Sequence, residues 1–142
     1  MTVQTENKAL FQSWMAMWNG NLALADTIIA PNFVAHFVPM PGSPGEVRGP
    51  EALKQWIGPI FMAFSNVSFT TDIGPLADDD KVVGRWIFRA TYNGVMPGVP
   101  AESVGKSVEY AGVDILRIEN GKIVEYWLCA DILQFLQQLG VM

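Results

Sequence analysis

Asp131 is the acidic residue of this sequence best placed to exchange a proton with a small molecule. It ends the run of residues 125–131, which is rich in aromatic and aliphatic side chains, and it directly precedes an amphipathic C-terminal segment. A carboxyl group at the mouth of an apolar pocket can act as a general acid or base, because desolvation disfavours its charged form. Asp131 also fits a capping box, in which it is the N-cap and Gln134 is the third helical residue. The two roles are compatible, and the residues alone leave both open.

The dipeptide Asn120-Gly121 predicts which residues lie near Asp131. Asn-Gly between two β-type segments is typical of a two-residue hairpin with a type I′ turn, which sets the register of the paired strands. Continued from the turn, this register places Tyr110 opposite Asp131, with Cα atoms about 5 Å apart. A phenol there could bind the carboxylate or a substrate oxygen, or it could only contribute to packing.

Asp114 is the second notable acid, because it stands between Val113 and Ile115 and a buried acid requires partners. In the same register it pairs with Trp127, about 13 Å from Asp131 at about 3.3 Å per residue. That separation exceeds the roughly 5 to 9.5 Å between the carboxyl groups of glycosidases. Arg85 and Arg89 share one strand face and are candidate partners, either as a structural ion pair, at a pocket rim or as oxyanion donors.

His36 and Cys129 have weaker claims. His36 is the single histidine, on a predicted edge strand, and it is either structural or a ligand contact at the cavity mouth. Cys129 is the single cysteine, and with no neighbouring base it is predicted to be a buried, inert thiol. One His and one Cys make neither a zinc site nor a disulfide, so the sequence predicts no metal site.

Composition predicts one compact domain over residues 1–142. Half of the 142 residues are hydrophobic, and 14 acidic against 9 basic side chains leave a net charge of −5. Without a basic cluster, the sequence does not favour binding to nucleic acid or to an anionic membrane. It also has neither a signal-type apolar core nor an apolar run of about 20 residues, which favours a cytoplasmic location.

The order of elements predicts an α+β fold, with helices first and strands later. Helical spacing predicts helices from about Glu6 to Gly20, from Asn21 as N-cap to Pro31, and from Pro50 to Phe64. Strands are predicted at Phe33 to Val38, Val67 to Ile73, Val82 to Tyr92 and Val108 to Ile118, with a loop from Pro39 to Pro50 and the hairpin partner after Gly121. The aromatic side chains that could form a pocket wall are Trp18, Trp56, Phe61 and Trp127.

A set of short fragments follows a characteristic order along nearly the full chain. The fragments are Asn19-Gly20-Asn21, Ala30-Pro31-Asn32-Phe33-Val34 with His36, Gly49-Pro50-Glu51, Arg85-Trp86, residues 117–125 with Trp127 and Asp131, and Gln138-Leu139-Gly140. Their order and spacing together resemble SnoaL-like polyketide cyclases, also called ester cyclases, within the nuclear-transport-factor-2-like (NTF2-like) superfamily.

This resemblance implies a cone-shaped α+β barrel in which three N-terminal helices pack on a strongly curved mixed or antiparallel sheet, followed by a short C-terminal helix. It implies an apolar cavity and a cofactor-free, metal-free intramolecular aldol ring closure, with the acid matching Asp131 as general acid/base. It also implies a homodimer or homotetramer. The apolar hairpin face available for such an interface is predicted to be Val113, Ile115, Tyr126 and Leu128.

The sequence departs from that family at the pocket rim. Many relatives have Thr-His-x-Gly where this chain has Thr91-Tyr92-Asn93-Gly94, and residues 97–106 also differ from the usual pattern. The leading hypothesis is an enzyme that acts on a small, mainly apolar carbonyl compound through an enolate. The candidate oxygen contacts are His36, Arg85, Tyr92, Tyr110 and Asp114.

Two alternatives stay open at this stage. One is a non-catalytic protein that binds a small lipophilic ligand, with Asp131 only a helix cap. The other is an isomerase or epoxide hydrolase of the same superfamily. The hydrolase is disfavoured because neither Arg85 nor Arg89 has an Asp two positions away, as the Asp-Arg-Asp arrangement of those relatives requires.

Overall fold

The computed structural model describes residues 2–37 and 45–142. Its α-helices are α1 (Val3–Trp18), α2 (Ala25–Ile28), α3 (Gly49–Ile57), α4 (Ile60–Ala63) and α5 (Ile132–Gln138). Its strands are β1 (Ile29–His36), β2 (Glu46–Arg48), β3 (Phe64–Asp78), β4 (Lys81–Tyr92), β5 (Ser107–Glu119) and β6 (Lys122–Ala130). Single 3-10 turns lie at Leu22–Leu24 and Ala101–Ser103.

The first helix confirms the predicted amphipathic pattern but begins earlier than Glu6. Thr2 is its N-cap, and the Thr2 hydroxyl accepts a hydrogen bond from the backbone N–H of Thr5 at 3.1 Å. Gly20, at a φ of 118°, adopts the left-handed conformation that follows the helix end. One face of α1 is buried against the sheet through Phe11, Trp14, Met15, Met17 and Trp18.

The next two predicted helices are shorter than expected. Asn21 makes no side-chain capping bond, and α2 ends at Ile28 because Ile29 already pairs with Ile123 of β6. The predicted helix from Pro50 to Phe64 is divided around Pro59, and Phe64 begins β3 rather than ending a helix. Sheet pairing therefore overrides local helical spacing at both places.

The sheet has six strands in the order β2-β1-β6-β5-β4-β3. β1 and β6 are parallel and the other neighbours are antiparallel, so the sheet is mixed. The sheet is curved, and the α+β class predicted from the sequence is confirmed. None of the described helices is long and apolar enough to cross a membrane.

The strand predicted at Phe33 to Val38 begins earlier, at Ile29, and Val38 lies outside the described residues. Half of the predicted loop from Pro39 to Pro50, residues 39–44, also lies outside them. In its described part, Glu46–Arg48 forms the short strand β2, which pairs with β1.

Val124 forms a β-bulge that shifts the last hairpin by one residue. The Asn120-Gly121 turn is confirmed, with Glu119 paired to Lys122 and Ile118 to Ile123. After the turn, Arg117 pairs with Glu125 rather than with Val124. Because Ile123 and Val124 are both buried, β6 places two successive side chains in protein interior where regular alternation would bury one.

The bulge makes the register predicted from the turn wrong beyond its first two pairs. Asp114 pairs with Leu128 instead of Trp127, and Tyr110 is not opposite Asp131. A one-residue shift moves every later side chain to the other face of the strand. Tyr126 and Leu128 therefore face the interior and cannot belong to an outer interface, whereas Cys129 is exposed and not buried as predicted.

Candidate functional site

Asp114 lies at the centre of the interior, between the curved sheet and the first helix. Its side chain is 2% exposed. The indole Nε1–H of Trp14 donates to Asp114 Oδ2 at 2.9 Å, and the hydroxyl of Tyr126 donates to Oδ1 at 2.9 Å. Each carboxylate oxygen can accept more than one bond, so this arrangement orients the group without exhausting its acceptor capacity.

Burial makes Asp114 an unusual carboxyl group. Desolvation raises its pKa from 3.8 to about 6, against the lowering effect of the hydrogen bonds from Trp14 and Tyr126 and of the nearby indole N–H of Trp86. The pKa of the Tyr126 phenol is raised well above 10.0, mainly by burial and then by the nearby charge of Asp114, so Tyr126 stays a neutral donor. A carboxyl group with a pKa of about 6 can both accept and return a proton near neutral pH.

Three elements converge to hold this carboxylate. Helix α1 supplies Trp14, β5 supplies Asp114 itself, and the bulge in β6 turns Tyr126 inward. The rings of Trp14 and Tyr126 also contact each other in an edge-to-face arrangement, with centroids 4.6 Å apart. The two donors are therefore fixed by packing as well as by hydrogen bonding.

A cavity of about 160 Å³ opens beside Asp114. Asp114 contributes the single ionisable carboxyl group of its lining, and the other wall residues are Met15, Trp18, Trp56, Ile60, Phe69, Trp86, Tyr110, Tyr126, Leu128, Ala130 and Ile132. Asn19 fixes one wall, because its side-chain amide bonds both the backbone N–H and the carbonyl of Phe69 at 2.8 and 2.9 Å. The result is one carboxyl group in a cavity whose other walls are mainly apolar and aromatic.

A second, apolar cavity of about 230 Å³ adjoins the first. The two cavities share Ile60 and Tyr110 as lining residues, so these two side chains stand between them. The remaining lining of the second cavity is hydrocarbon and thioether, from Pro59, Ala63, Phe64, Phe88, Met96 and Phe135. Together the cavities offer space for a polar head beside Asp114 and an apolar extension past Tyr110.

A wider depression of about 700 Å³ is a poorer candidate site. Its charged lining residues are already paired, because Arg85 forms an ion pair with Asp72 and Arg89 binds Glu109 at 3.1 Å. These groups are half-exposed, and water weakens their interactions with any ligand. The cavity at Asp114 is the better candidate, because it contains a buried carboxyl group whose pKa is raised, which an ordinary protein surface does not offer.

Gly112 allows Trp86 to form part of the cavity wall. The two residues are paired on β5 and β4, and a Cβ atom at Gly112 would lie 2.3 Å from the Trp86 ring. The ring therefore occupies the space that any other residue would fill. This close approach places the indole beside Asp114, two residues along the same strand.

We expect Gly112→Ala to lower the free energy of unfolding by about 1 to 3 kcal/mol, because the added methyl group must displace the Trp86 ring. The measurement is urea unfolding followed by tryptophan fluorescence. Gly84→Ala is the matched control, since its Cβ would meet Phe11 at 2.3 Å, away from the cavity lining. Both variants should lose stability, but only Gly112→Ala should also weaken ligand binding; a fully stable Gly112→Ala would contradict the packing described.

Asp131 occupies the capping position that its sequence predicts. Its Oδ1 accepts a hydrogen bond from the backbone N–H of Gln134 at 3.2 Å, and its own N–H donates to the Ala111 carbonyl at 2.9 Å. The side chain is exposed, whereas its neighbours Ala130 and Ile132 line the cavity. The cap is confirmed, and a catalytic role for Asp131 stays a prediction.

Four of the other residues predicted for the site, namely His36, Arg85, Arg89 and Trp127, lie outside the cavities. His36 bonds Glu125 at 2.7 Å and stacks on Trp127, and neither His36 nor Trp127 lines the described cavities. Arg85 pairs with Asp72 and Arg89 with Glu109, so both form ion pairs and neither candidate is a partner of Asp114. These residues lie on the side of the sheet opposite to Asp114.

Only some of the aromatic residues that are predicted to form the pocket line the cavity. Trp18, Trp56 and Tyr110 line the cavity with Asp114. The Tyr92 hydroxyl instead accepts a bond from the backbone N–H of Met96 at 3.0 Å, and the Phe61 ring lies beside Gly20. Tyr92 and Phe61 therefore line neither of the two cavities.

The sequence pattern does not assign Trp14, Trp86 or Tyr126 to the site. Trp14 was recognisable as a buried position of α1 but not as a donor. The Asn-Gly turn predicts a regular hairpin, and the turn residues do not indicate the bulge at Val124. The predicted register therefore places Tyr126 on the wrong face of β6. Across residues 2–37 and 45–142, no three His, Cys, Asp or Glu side chains gather as metal ligands.

Comparison with known proteins agrees with this architecture. Residues 8–139 match the model of the SnoaL-like polyketide cyclase family. No curated protein matches the sequence significantly. Among solved structures, a candidate polyketide cyclase from Bacillus cereus ATCC 10987 is 29% identical, with a TM-score of 0.78, over 97% of this chain and 83% of that one.

Two Streptomyces proteins are similar to a comparable degree. IdmH, a candidate polyketide cyclase from Streptomyces antibioticus, is 25% identical with a TM-score of 0.77, over 94% of this chain and 97% of its own. AclR, a candidate hydroxylase from Streptomyces galilaeus, is 26% identical with a TM-score of 0.81, over 98% of this chain and 87% of its own. Because the family model spans nearly the whole sequence, the chain belongs to the SnoaL-like polyketide cyclase family.

Proposed function

We propose that this protein is an enzyme of the cyclase type that moves a proton at the carbon next to a carbonyl group, with Asp114 as general acid/base. The observation that supports this most strongly is a single buried carboxyl group, with a pKa of about 6, in the wall of a mainly apolar cavity. Groups perturbed in this way are concentrated at functional sites. Family membership supports cyclisation as the overall reaction.

The proposed reaction needs no reactant beyond the substrate. Asp114 as carboxylate removes a proton from the carbon next to one carbonyl, and the resulting enolate attacks a second carbonyl carbon of the same molecule. A carbon–carbon bond forms, and the second carbonyl oxygen becomes an alkoxide. The proton on Asp114 then returns to that oxygen. Water exclusion by the aromatic walls supports this chemistry, because a dry site strengthens every electrostatic contact.

The shape of the site supports a small, mainly apolar substrate. The first cavity, of about 160 Å³, has room for one reacting unit beside Asp114, and the adjoining 230 Å³ cavity presents hydrocarbon surface to the rest of the molecule. The hydroxylase description of AclR concerns that protein, and ring closure is the reaction that we carry over from the family.

One observation favours the alternative of a non-catalytic binding protein. Both oxygens of Asp114 are already held by Trp14 and Tyr126, as expected for a buried acid that only organises the interior. In that case the cavity would bind an apolar ligand without proton transfer. The two functions differ in whether the protein labels a bound carbonyl compound with solvent deuterium.

The test is deuterium uptake from D₂O into a panel of small apolar ketones and 1,3-dicarbonyl compounds, followed by proton NMR. We expect catalysed uptake at the carbon next to the carbonyl. Its rate should rise about tenfold per pH unit below pH 6 and level off above it, as Asp114 ionises. Absence of catalysed uptake across the panel would favour the binding protein, whereas catalysed uptake with a flat pH profile would show that a group other than Asp114 moves the proton.

A further inference from the structure

The hydroxyl group of Tyr110 is the one tyrosine hydroxyl of this chain without a hydrogen-bond partner among the described residues. The hydroxyl of Tyr126 donates to Asp114 at 2.9 Å, and that of Tyr92 accepts the backbone N–H of Met96 at 3.0 Å. The Tyr110 oxygen also retains accessible surface, although the side chain is largely buried. Because Tyr110 lines both cavities, this hydroxyl is a donor that a bound molecule can reach.

Aromatic packing holds the ring of Tyr110 inside the molecule. Its centroid lies 5.7 Å from that of Trp86, 5.1 Å from that of Phe88 and 4.8 Å from that of Phe135. Trp86 and Phe88 belong to β4 and Phe135 belongs to α5, so the neighbouring strand and the last helix both fix the ring. A phenol held in this way presents its hydroxyl in a defined position, which reduces the entropy lost when a ligand binds.

Asp114 lies on the same face of β5, four residues beyond Tyr110. Both side chains line the first cavity, but no hydrogen bond joins them, and the Asp114 oxygens accept from Trp14 and Tyr126 instead. Burial raises the pKa of the Tyr110 phenol above 10.0, and the charge of Asp114 raises it further, so the phenol stays protonated. The first cavity therefore has a carboxylate and a separate neutral donor in its lining.

We propose that the Tyr110 hydroxyl donates a hydrogen bond to a carbonyl oxygen of the bound ligand, and that this bond favours ketones over hydrocarbons of the same shape. A ketone oxygen accepts hydrogen bonds and donates none, so it complements a neutral phenol. The inference rests on the proposed function only for the step in which that oxygen becomes negative, because a binding protein would use the same donor. In an enzyme, the phenol would keep its proton and stabilise the enolate oxygen.

The experiment compares the binding of two ligands of nearly the same shape by calorimetric titration at pH 8. They are acetophenone and α-methylstyrene, which carries a CH₂ group in place of the carbonyl oxygen. Asp114 is ionised at this pH and cannot donate a hydrogen bond. The affinity for acetophenone, divided by that for α-methylstyrene, should be about fivefold lower in Tyr110→Phe than in the wild-type protein.

Tyr92→Phe is the matched control, because Tyr92 lines neither cavity and loss of its contact with Met96 should affect both ligands equally. A second measurement needs no variant: the carbonyl stretch of carbon-13-labelled acetophenone should lie at lower frequency in the wild-type protein than in hexane.

Three results would overturn the proposal: an unchanged affinity ratio in folded Tyr110→Phe, a carbonyl stretch at the hexane frequency, or no binding of acetophenone to the wild-type protein. Both measurements are made at equilibrium without turnover. A lowered ratio in a protein that catalyses no deuterium uptake would therefore contradict the proposed function and support the role of Tyr110.

Discussion

Replacing Asp114 with Asn is expected to slow deuterium uptake into the carbonyl substrate by about 10²- to 10⁴-fold, the usual contribution of a positioned general base. Asn keeps the size of the side chain, and its carbonyl oxygen can still accept the Trp14 bond, but it cannot take a proton. The measurement is the initial rate of uptake by proton NMR at pH 8, where the wild-type carboxyl group is ionised. The expected loss is in turnover, with ligand affinity little changed.

Asp131→Asn is the matched control, because Asn is as good an N-cap as Asp and the side chain of Asp131 is exposed. This variant should keep both its stability and its exchange rate. The opposite pattern, with Asp131→Asn inactive and Asp114→Asn active, would assign the proton transfer to Asp131, as the family resemblance implies. Asp131→Ala separates the cap from the chemistry, since it should cost about 0.5 to 2 kcal/mol of stability.

The stability advantage of the wild-type protein over Asp114→Asn is expected to decrease by about 2.5 kcal/mol between pH 4 and pH 8. The pKa of Asp114 is about 6 in the folded protein, against 3.8 for an ordinary Asp in an unfolded chain. Below about pH 3 the carboxyl group is neutral in both the folded and the unfolded state, so its pKa difference contributes little to stability there. Between the two pKa values, the carboxyl group is mainly ionised in the unfolded chain and mainly neutral in the folded protein. Each pH unit in this range therefore lowers the free energy of unfolding by about 1.4 kcal/mol.

This linkage is measured by urea unfolding of both proteins at a series of pH values, with tryptophan fluorescence as the signal. Asn cannot ionise, so subtracting its curve removes the contributions of all other titrating groups that the two proteins share. The difference should fall as pH rises through about 6 and then stay constant. Parallel curves would mean that the pKa of Asp114 is the same in the folded and unfolded states, and burial would then not explain its chemistry.

Local patterns in the sequence determined most of the architecture. The helical spacing of Trp14 and Trp18 placed both on the buried face of α1, and Asn120-Gly121 determined the last turn, because only residues that tolerate positive φ fit a type I′ turn. The order of helices and strands determined the α+β class. These features depend on neighbours in the chain, which a single sequence displays directly.

The capping role of Asp131 is another feature that residues close together in the sequence determine. Its hydrogen bond spans three residues and needs no tertiary contact, so the capping-box pattern was sufficient to predict it. The same pattern could not say whether the side chain faces a cavity. That depended on the face of β6 from which the chain enters α5.

Only the tertiary structure decided which acid lies in the cavity. One extra residue at Val124, inserted because Ile123 and Val124 both bury their side chains, reverses every later side chain of β6. Tyr126 then points to Asp114, and Asp131 points to solvent. A bulge is selected by packing between the sheet and elements distant in sequence, which is why the residue types around the turn determined the hairpin but not the site.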